Sequence, residues 1–447
     1  MKMKTKSTFF ALLCTVLLSA CQKDFLEKKP NKDLLVPVSL ADFKALLDNE
    51  SVMNVTPALQ VISGDELYLT KPTWAALTAV ERNSYVWAKD PYEGAVISDW
   101  NTPYKQVFYA NVILEGMAGK ESTTNDEADW NNTKGSALFF RAYAFYNLAQ
   151  LFAQPMNANT ASSSGLPLRL TSDINVRVPR STVAETYQQI ISDLLQAKSL
   201  LAPTISVYKT RPSKPAAYAM LARVYLSMGD YPKAGAYADS CLQIVGGLMN
   251  YNELDAAKTR PVPRYNKEVI FSSLLISRSF LTRSIRDTTL FKTYSADDLR
   301  RKIFFAASGT FKGTYAGGGY VFGGLATDEM WLIRAESKAR AGDTDGSITD
   351  LNNLLINRFA AGKFIPLTAV SSDEALLLVL QERKKELFFR GLRWTDLRRL
   401  NAESAFQNDL HRNLEGEMFN LSPGDNRYIL PIPQEEIAAS GIPQNPR

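Results

Sequence analysis

Cysteine and histidine are both scarce in this chain of 447 residues, which has three cysteines and one histidine. Cys14 lies in an N-terminal segment that we expect to be removed, which leaves Cys21 and Cys241. We expect Cys21 to carry a lipid, so Cys241 has no partner for an internal disulfide and the fold must be held by its core. With His411 as the only histidine, zinc sites built on several histidines are excluded. We interpret His411 as a surface or junction residue rather than a catalytic base.

The chain also lacks a large excess of charge of either sign. Its formal net charge is +5, and it falls to +2 without residues 1–20, because these contain three lysines and no acidic residue. A protein that binds nucleic acid needs a clustered basic face, so we expect no nucleic-acid partner. Hydrophobic residues make up 45% and charged residues 22% of the chain, as in ordinary globular proteins.

The N-terminal segment has the features of a secretory signal but not of a membrane-spanning helix. Three lysines lie within residues 1–6, residues 7–20 are almost wholly apolar or small, and Cys21 follows directly. This apolar stretch is shorter than the roughly 20 residues that cross a bilayer. The pattern predicts a lipoprotein signal peptide at residues 1–20 and lipidation of Cys21, whose acyl chains anchor a domain without spanning the membrane. The alternative is an ordinary signal peptide that happens to hold Cys21.

Helical periodicity dominates the chain after a polar tether at residues 21–38. Apolar spacing and capping residues predict helices at 40–47, 100–114, 135–148, 182–201 and 371–390. Residues 216–245 show the tetratricopeptide pattern of two helices joined by a turn, and residues 330–355 show a weaker copy. These features predict a mainly α fold, in which tetratricopeptide-like helix pairs form an α-solenoid-like scaffold. We expect an irregular, loop-rich ligand-binding part and few short strands, one of them within residues 268–273.

Residues 382–399 read Glu-Arg-Lys-Lys-Glu-Leu-Phe-Phe-Arg-Gly-Leu-Arg-Trp-Thr-Asp-Leu-Arg-Arg. This segment resembles the hallmark of the SusD/RagB family. Further similar segments appear in the family's order, at 100–111, 140–143, 185–197, 332–336, 350–352 and 432–446. The resemblance covers essentially the whole mature chain. Arg390 departs from it, because the family usually carries an acidic residue before the glycine, so the family's salt bridge at this position does not follow from the resemblance.

The resemblance implies a surface-exposed, lipid-anchored protein of the cell outer membrane that faces the outside. Its SusD-like N-terminal and C-terminal parts, at 39–205 and 206–447, interleave into one compact unit. Such a protein sits as a lid over a SusC-like TonB-dependent β-barrel transporter and captures an oligosaccharide or peptide for import. It binds without catalysing a reaction. We expect no cofactor and assign no metal ligands, and the sequence does not say whether a calcium ion is bound. Residues 22–24, Gln-Lys-Asp, are similar to the tag that sends such lipoproteins to the outer face.

Glycan binding requires flat aromatic faces for stacking and polar side chains at the edges of the sugar rings. We therefore expect ligand-binding residues among the aromatics of the less periodic regions, which are Trp74, Tyr85, Trp87, Tyr92, Tyr294, Tyr315, Tyr320 and Phe322. Trp74 and Tyr320 are the strongest candidates, because their neighbours are typical of loops. Candidate polar partners are Asp65, Glu66 and Asp99. The alternative for each aromatic is packing in the core.

The charged residues of the hallmark segment are interpreted as structural. Glu386 and Arg390 are four positions apart, a spacing at which opposite charges can pair on a helix, and we expect Trp394 in the core. The three glycines at 317–319 lack the Gly-Lys-Ser/Thr ending of a phosphate-binding loop.

Two other classes of function stay open. A lipid-anchored glycoside hydrolase would need two carboxylates roughly 5–10 Å apart across a cleft, and no motif singles out such a pair among the 46 acidic residues. A structural lid subunit would seal the barrel without a ligand of its own. The sequence does not distinguish between starch, host glycan, plant polymer or peptide as the ligand.

Overall fold

The computed structural model of the protein describes residues 37–120, 122 and 125–447. The predicted signal peptide, the predicted lipidation site Cys21 and most of the predicted tether lie outside these residues. Within the described ranges, no helix combines the length and the apolar composition that crossing a membrane requires.

Most of the regular structure in the described residues is helical. The α-helices are α1 (Leu40–Leu47), α2 (Glu50–Met53), α3 (Leu59–Ser63), α4 (Lys71–Ala75), α5 (Ala79–Tyr85), α6 (Ser98–Met117), α7 (Glu127–Phe152), α8 (Val183–Leu200), α9 (Lys214–Ser227), α10 (Tyr231–Leu242), α11 (Phe280–Arg283), α12 (Thr288–Lys292), α13 (Arg300–Ile303), α14 (Thr327–Arg340), α15 (Thr344–Leu355), α16 (Ser372–Glu386), α17 (Arg393–Leu400) and α18 (Gln434–Ser440).

The strands are short and form two-stranded sheets. They are β1 (Val55–Thr56), β2 (Leu67–Tyr68), β3 (Ser164–Pro167), β4 (Arg180–Thr182), β5 (Val269–Phe271), β6 (Leu274–Leu275), β7 (Ile285–Arg286), β8 (Leu325–Ala326), β9 (Leu410–Leu414) and β10 (Glu417–Leu421). β1 pairs with β6 in parallel, and the antiparallel pairs are β2–β7, β3–β4, β5–β8 and β9–β10. The predicted extended piece at 268–273 contains β5. The mainly α class with few short strands is confirmed.

Successive helices pack side by side along the chain. Helix α6 packs on α7, α7 on α8 and α8 on α9. Helices α9 and α10 form the predicted tetratricopeptide-like pair, α14 and α15 form the second pair, and α10 packs on α14 to join them. A Cβ at Gly235 in α10 would lie 2.7 Å from the Cβ of Ser337 in α14, so this close approach of the two pairs requires glycine.

Side-chain caps explain where several helices begin. The hydroxyl of Ser39 accepts a hydrogen bond from the backbone N–H of Asp42 at 3.2 Å, and the Asp42 carboxylate accepts one from the N–H of Ser39 at 3.0 Å. Thr182 and Glu185 form the same reciprocal capping box before α8. Such caps satisfy the free N–H groups of a first helical turn, which confirms the starts predicted for α1 and α8.

A network of buried ion pairs joins the hallmark segment to the core. The Arg300 guanidinium lies 2.7 Å from Asp298, 2.7 Å from Glu382 and 2.9 Å from Glu386. Arg358 continues the network, because its guanidinium lies 2.7 Å from the same Glu386 carboxylate. Buried charges need such partners, so these residues hold helices in position and the structural interpretation of the segment is confirmed.

The predicted contact between Glu386 and Arg390 is replaced by other pairings. Helix α16 ends at Glu386, and Phe389 has a φ of 61°, so Arg390 does not continue the helical spacing. The Arg390 guanidinium instead lies 2.6 Å from Asp328 in α14. Arg390 therefore makes a buried salt bridge despite its departure from the family pattern. Trp394 is 1% exposed, as predicted for a core residue.

Candidate functional site

Three of the aromatic candidates lie in the core. Tyr294, Tyr315 and Phe322 are each 1% exposed. The Tyr294 hydroxyl donates to the carbonyl oxygen of Lys385 at 2.8 Å. The Tyr315 hydroxyl donates to Glu268, and its ring lies 5.8 Å from that of Phe322 between centroids. These rings offer no face to a ligand, which corrects their predicted binding role in favour of core packing.

The two strongest candidates differ in exposure. Tyr320 is 60% exposed and lies beside the three surface glycines. Trp74 is half-buried in α4, and its indole N–H donates to the carbonyl oxygen of Arg82 at 3.0 Å. Tyr92 is buried and lines a separate cavity of about 330 Å³ against the C-terminal segment. Of these three aromatics, only Tyr320 is mostly exposed.

Asp65, Tyr85 and Trp87 are brought together in a cleft of about 400 Å³. We call it the hairpin cleft, because the β9–β10 hairpin supplies one of its walls. Its lining residues come from distant parts of the chain: Asp65, Leu67, Tyr68, Tyr85, Trp87, Asp287, Thr289, Lys384, Asn408, Asp409, Leu410, His411, Arg412 and Asn413.

Buried aromatics and one arginine form the floor of the hairpin cleft. Tyr85 and Trp87 are 1% and 4% exposed. The Arg412 guanidinium lies 3.7 Å from the ring centroid of Tyr85 and 4.7 Å from that of Trp87. The indole N–H of Trp87 donates to the carbonyl oxygen of Ser63 at 2.9 Å, and the Tyr85 hydroxyl accepts from the N–H of Leu69 at 3.1 Å. These contacts hold Tyr85 and Trp87 in place, so the two aromatic side chains form the buried base of the cleft.

Asp65 is a structural member of the cleft wall. Its carboxylate lies 2.6 Å from the Arg393 guanidinium and 2.8 Å from the Lys384 ammonium. Burial opposes ionisation, but the charges of Arg393 and Lys384 outweigh it and hold the pKa of Asp65 well below its ordinary value. Because both oxygens are engaged, the predicted role of Asp65 as a ligand partner is corrected to that of an anchor between the N-terminal and C-terminal parts.

Asp99 also has a structural role. Its side chain is fully buried, and one carboxylate oxygen accepts hydrogen bonds from the N–H groups of Ala58 at 2.6 Å and Leu59 at 2.9 Å. The other oxygen pairs with Arg278. The carboxylate thus satisfies free N–H groups at the start of α3, and it is not available to a ligand.

The hairpin cleft is lined by one exposed aromatic residue together with exposed polar side chains. Tyr68 in β2 is 41% exposed. Asn408, Asp409, His411 and Asn413 face solvent on or beside β9. This arrangement offers what a sugar ring needs, since its apolar face can stack on an aromatic ring while its hydroxyls form hydrogen bonds.

Tyr68 and the hairpin are not among the predicted ligand-binding residues. The signal in the sequence is the pair Glu415-Gly416 after Leu410 and Leu414. In the structure, residues 410–414 alternate between buried and exposed positions. Both turn residues have positive φ, 54° and 99°, as two-residue hairpin turns of the type with two left-handed residues require.

Among the described residues, no three histidine, cysteine or acidic side chains converge to hold a metal ion.

Glu66 lies next to the cleft wall and predicts a pH dependence of stability. Burial and the neighbouring charge of Asp65 raise the pKa of Glu66 from 4.5 to about 8. Glu66 loses its proton near pH 4.5 in the unfolded chain, but only near pH 8 in the folded protein. The free energy of unfolding therefore falls as the pH rises from about 4.5 to about 8. We expect Glu66→Gln to abolish this pH-dependent loss of folding stability, which is on the order of a few kcal/mol.

Urea unfolding at pH 5 and pH 8.5 measures this effect as the difference between the wild type and Glu66→Gln. The same substitution at the exposed Glu417 is the control and should give equal differences at both pH values. A Glu66→Gln difference that does not change with pH would show that Glu66 is ionised throughout.

Comparison with known proteins places the chain in a family. A family model described as "Starch-binding associating with outer membrane" matches residues 24–226, and the model of the SusD family matches residues 327–447. The chain belongs to the SusD/RagB family, which confirms the resemblance drawn from the hallmark segment.

Individual relatives match over nearly their whole length. The SusD-like protein P2 of Formosa agariphila is 24% identical, and the alignment covers 99% of each chain. A SusD superfamily protein of Bacteroides vulgatus is 21% identical with a TM-score of 0.75, over 91% of this chain and 99% of that one. A SusD-like carbohydrate-binding protein of the same species is 21% identical with a TM-score of 0.71, over 90% and 97% of the two chains. These structures share the fold.

Proposed function

We propose that this protein binds an oligosaccharide in the hairpin cleft and delivers it to a SusC-like TonB-dependent transporter of the outer membrane. The observation that carries the proposal is that the exposed Tyr68 lines the same cleft as the exposed polar side chains of the hairpin. The family model's description as starch-binding, and the carbohydrate-binding relative with the same fold, support a sugar as the ligand.

Anchoring is part of the same proposal. Lipid attached to Cys21 would hold the protein on the outer membrane, facing outside, and the parts at 39–205 and 206–447 would act there as one unit. The family model's description as associating with the outer membrane supports this location. Labelling with an alkyne fatty acid should modify the wild type but not Cys21→Ser, and a TonB-dependent barrel should co-purify with the anchored protein.

Tyr68→Ala tests the binding site directly. Affinity electrophoresis against a panel of neutral polysaccharides identifies a polymer that retards the wild type, and calorimetry then gives the dissociation constant. We expect Tyr68→Ala to weaken binding about tenfold, because the stacking face is removed.

Tyr208→Ala is the matched control for this experiment. Tyr208 is 64% exposed and lies outside the lining of the hairpin cleft, so its loss should leave the affinity unchanged. Full affinity in Tyr68→Ala together with loss in Trp74→Ala or Tyr320→Ala would move the site to those aromatics.

The absence of catalysis is part of the same proposal, supported by relatives that are described as SusD-like or carbohydrate-binding proteins. The Asp65 carboxylate, which a hydrolase at this cleft could have used, is held by Arg393 and Lys384. Steady release of reducing sugar from the bound polymer by pure protein would favour the hydrolase. Failure of every sugar and peptide to bind would favour the structural lid.

A further inference from the structure

Another cavity, of about 240 Å³, lies beside the segment that follows α7, between α17 and the turn that joins α9 to α10. It shares no lining residue with the hairpin cleft. We call it the arginine cavity, because it is lined by Arg340, Arg398 and Arg399. Gly229 and Ala402, which also line it, are exposed, so the cavity opens to solvent.

Two of these arginines pair with carboxylates. The Arg340 guanidinium lies 2.9 Å from Glu336 and 2.9 Å from Glu403. The Arg399 guanidinium lies 2.6 Å from the same Glu336 carboxylate and 2.9 Å from Asp396. Both guanidinium groups are therefore neutralised within the protein.

The third arginine, Arg398, has no such partner. The Asp396 carboxylate also pairs with Arg383 at 2.8 Å, so the three carboxylates near the cavity are matched by the guanidinium groups of Arg340, Arg383 and Arg399. No carboxylate of the described residues lies within ion-pair distance of Arg398. The positive charge of Arg398 is therefore the one that the surrounding side chains leave uncompensated.

Arg398 is buried and only partly satisfied. It is 4% exposed, and it donates to the carbonyl oxygens of Gln150 and Ala153 at the C-terminal end of α7. A helix C-terminus carries about half of a negative charge, so these carbonyls offset the guanidinium only in part. Burial lowers the pKa of Arg398 to about 10, against the phenols of Tyr187 and Tyr146, which raise it. Arg398 therefore stays charged at neutral pH, and its buried Nε–H has no acceptor among the described residues.

We propose that the arginine cavity binds one small oxyanion, a carboxylate or an inorganic ion such as sulfate, through the charge and the free Nε–H of Arg398. A buried charge without a counterion is costly, and a bound anion removes that cost. Hydrogen bonds from a guanidinium to an oxyanion are among the strong ones. The cavity is smaller than the roughly 300 Å³ at which pockets for drug-sized ligands begin, so it suits a small ion rather than an oligosaccharide.

Calorimetric titration of the protein with sodium sulfate and, separately, with sodium acetate tests this site at pH 7 and low ionic strength, where charges are least screened. We expect saturable binding of one anion per chain. Saturation by either anion supports the site, and the tighter of the two shows whether an inorganic oxyanion or a carboxylate is preferred.

A matched pair of variants at the exposed Ala402 separates charge from size. Ala402→Glu places a carboxylate at the rim and should weaken anion binding at least tenfold, because like charges repel. Ala402→Gln adds a side chain of the same size without the charge and should retain the wild-type affinity. Arg398→Gln should abolish binding where circular dichroism shows that it folds, and the Ala402 pair decides if it does not fold.

The anion site is overturned if neither anion binds the wild type saturably, or if Ala402→Glu binds as tightly as the wild type. Persistent binding by a folded Arg398→Gln would also overturn it. Ala402 does not line the hairpin cleft, so Ala402→Glu should be retarded by a neutral polysaccharide as much as the wild type. The anion site and the proposed sugar site can therefore fail separately.

Discussion

Arg358→Met is expected to lower the free energy of unfolding by about 3–5 kcal/mol, as is typical when one partner of a buried ion pair is removed. The Arg358 guanidinium lies 2.7 Å from Glu386 and 2.9 Å from Glu268, and it donates to the carbonyl oxygen of Met249 at 2.8 Å. All of these side chains are excluded from solvent. Methionine fills similar volume but leaves Glu268 without its cationic partner, so the desolvation cost of that charge is no longer offset.

Urea unfolding followed by circular dichroism measures this loss, and the chain offers a matched control. Arg264 forms a surface pair with Glu50 at 3.4 Å, in which both side chains are well exposed. Arg264→Met removes the same kind of side chain and should cost less than about 1 kcal/mol. Similar losses in both variants would mean that the buried network contributes no more than a surface pair.

Gly324→Ala is expected to lower the free energy of unfolding by about 1–3 kcal/mol through overpacking. A Cβ at this position would lie 2.1 Å from the carbonyl oxygen of Phe271 and 2.8 Å from the ring of Phe322. The backbone must therefore shift. Because Gly324 also accepts a hydrogen bond through its carbonyl from Arg223 at 2.7 Å, the shift would disturb a buried guanidinium.

Gly319→Ala is the control from the same glycine-rich loop. No atom lies within 4 Å of a Cβ built on Gly319, and its φ is not in the left-handed region. We expect its melting temperature to equal or slightly exceed that of the wild type, because alanine restricts the unfolded chain. Thermal unfolding compares the two variants, and equal melting temperatures would show that the loop relaxes freely around Gly324.

The scaffold could be predicted from the sequence because its signals are local. Helix α8 begins where Thr182 and Glu185 form a capping box, and the pair α9–α10 follows the spacing of small and large residues. Only half of such a box forms at Ser371, where the helix predicted over 371–390 begins. Its hydroxyl accepts from the N–H of Glu374 at 3.2 Å, but the Glu374 carboxylate accepts from the N–H of Val370.

The candidate site could be predicted only in part, because burial depends on partners far away in the chain. Tyr294 lies in a loop-rich region, yet its hydroxyl reaches the backbone of Lys385, and no local pattern reveals that contact. Trp87 and Tyr85 do reach the hairpin cleft, but as its buried floor. Tyr68, by contrast, is exposed on the outward side of β2. Its orientation depends on the pairing of β2 with β7.

The walls of the hairpin cleft come from segments that are far apart in the sequence, which has a consequence for biosynthesis. Asp65 and Lys384, which bridge its wall, are 319 positions apart, and the hairpin lies still farther along. Contacts between such distant segments form late, because closing a long loop costs entropy before any contact is gained. A ribosome therefore releases Tyr68 long before the hairpin is synthesised, and a truncated polypeptide without the hairpin would lack one wall of the proposed sugar-binding site. If the hairpin cleft is the binding site, as we propose, ligand binding requires that synthesis and folding are both complete.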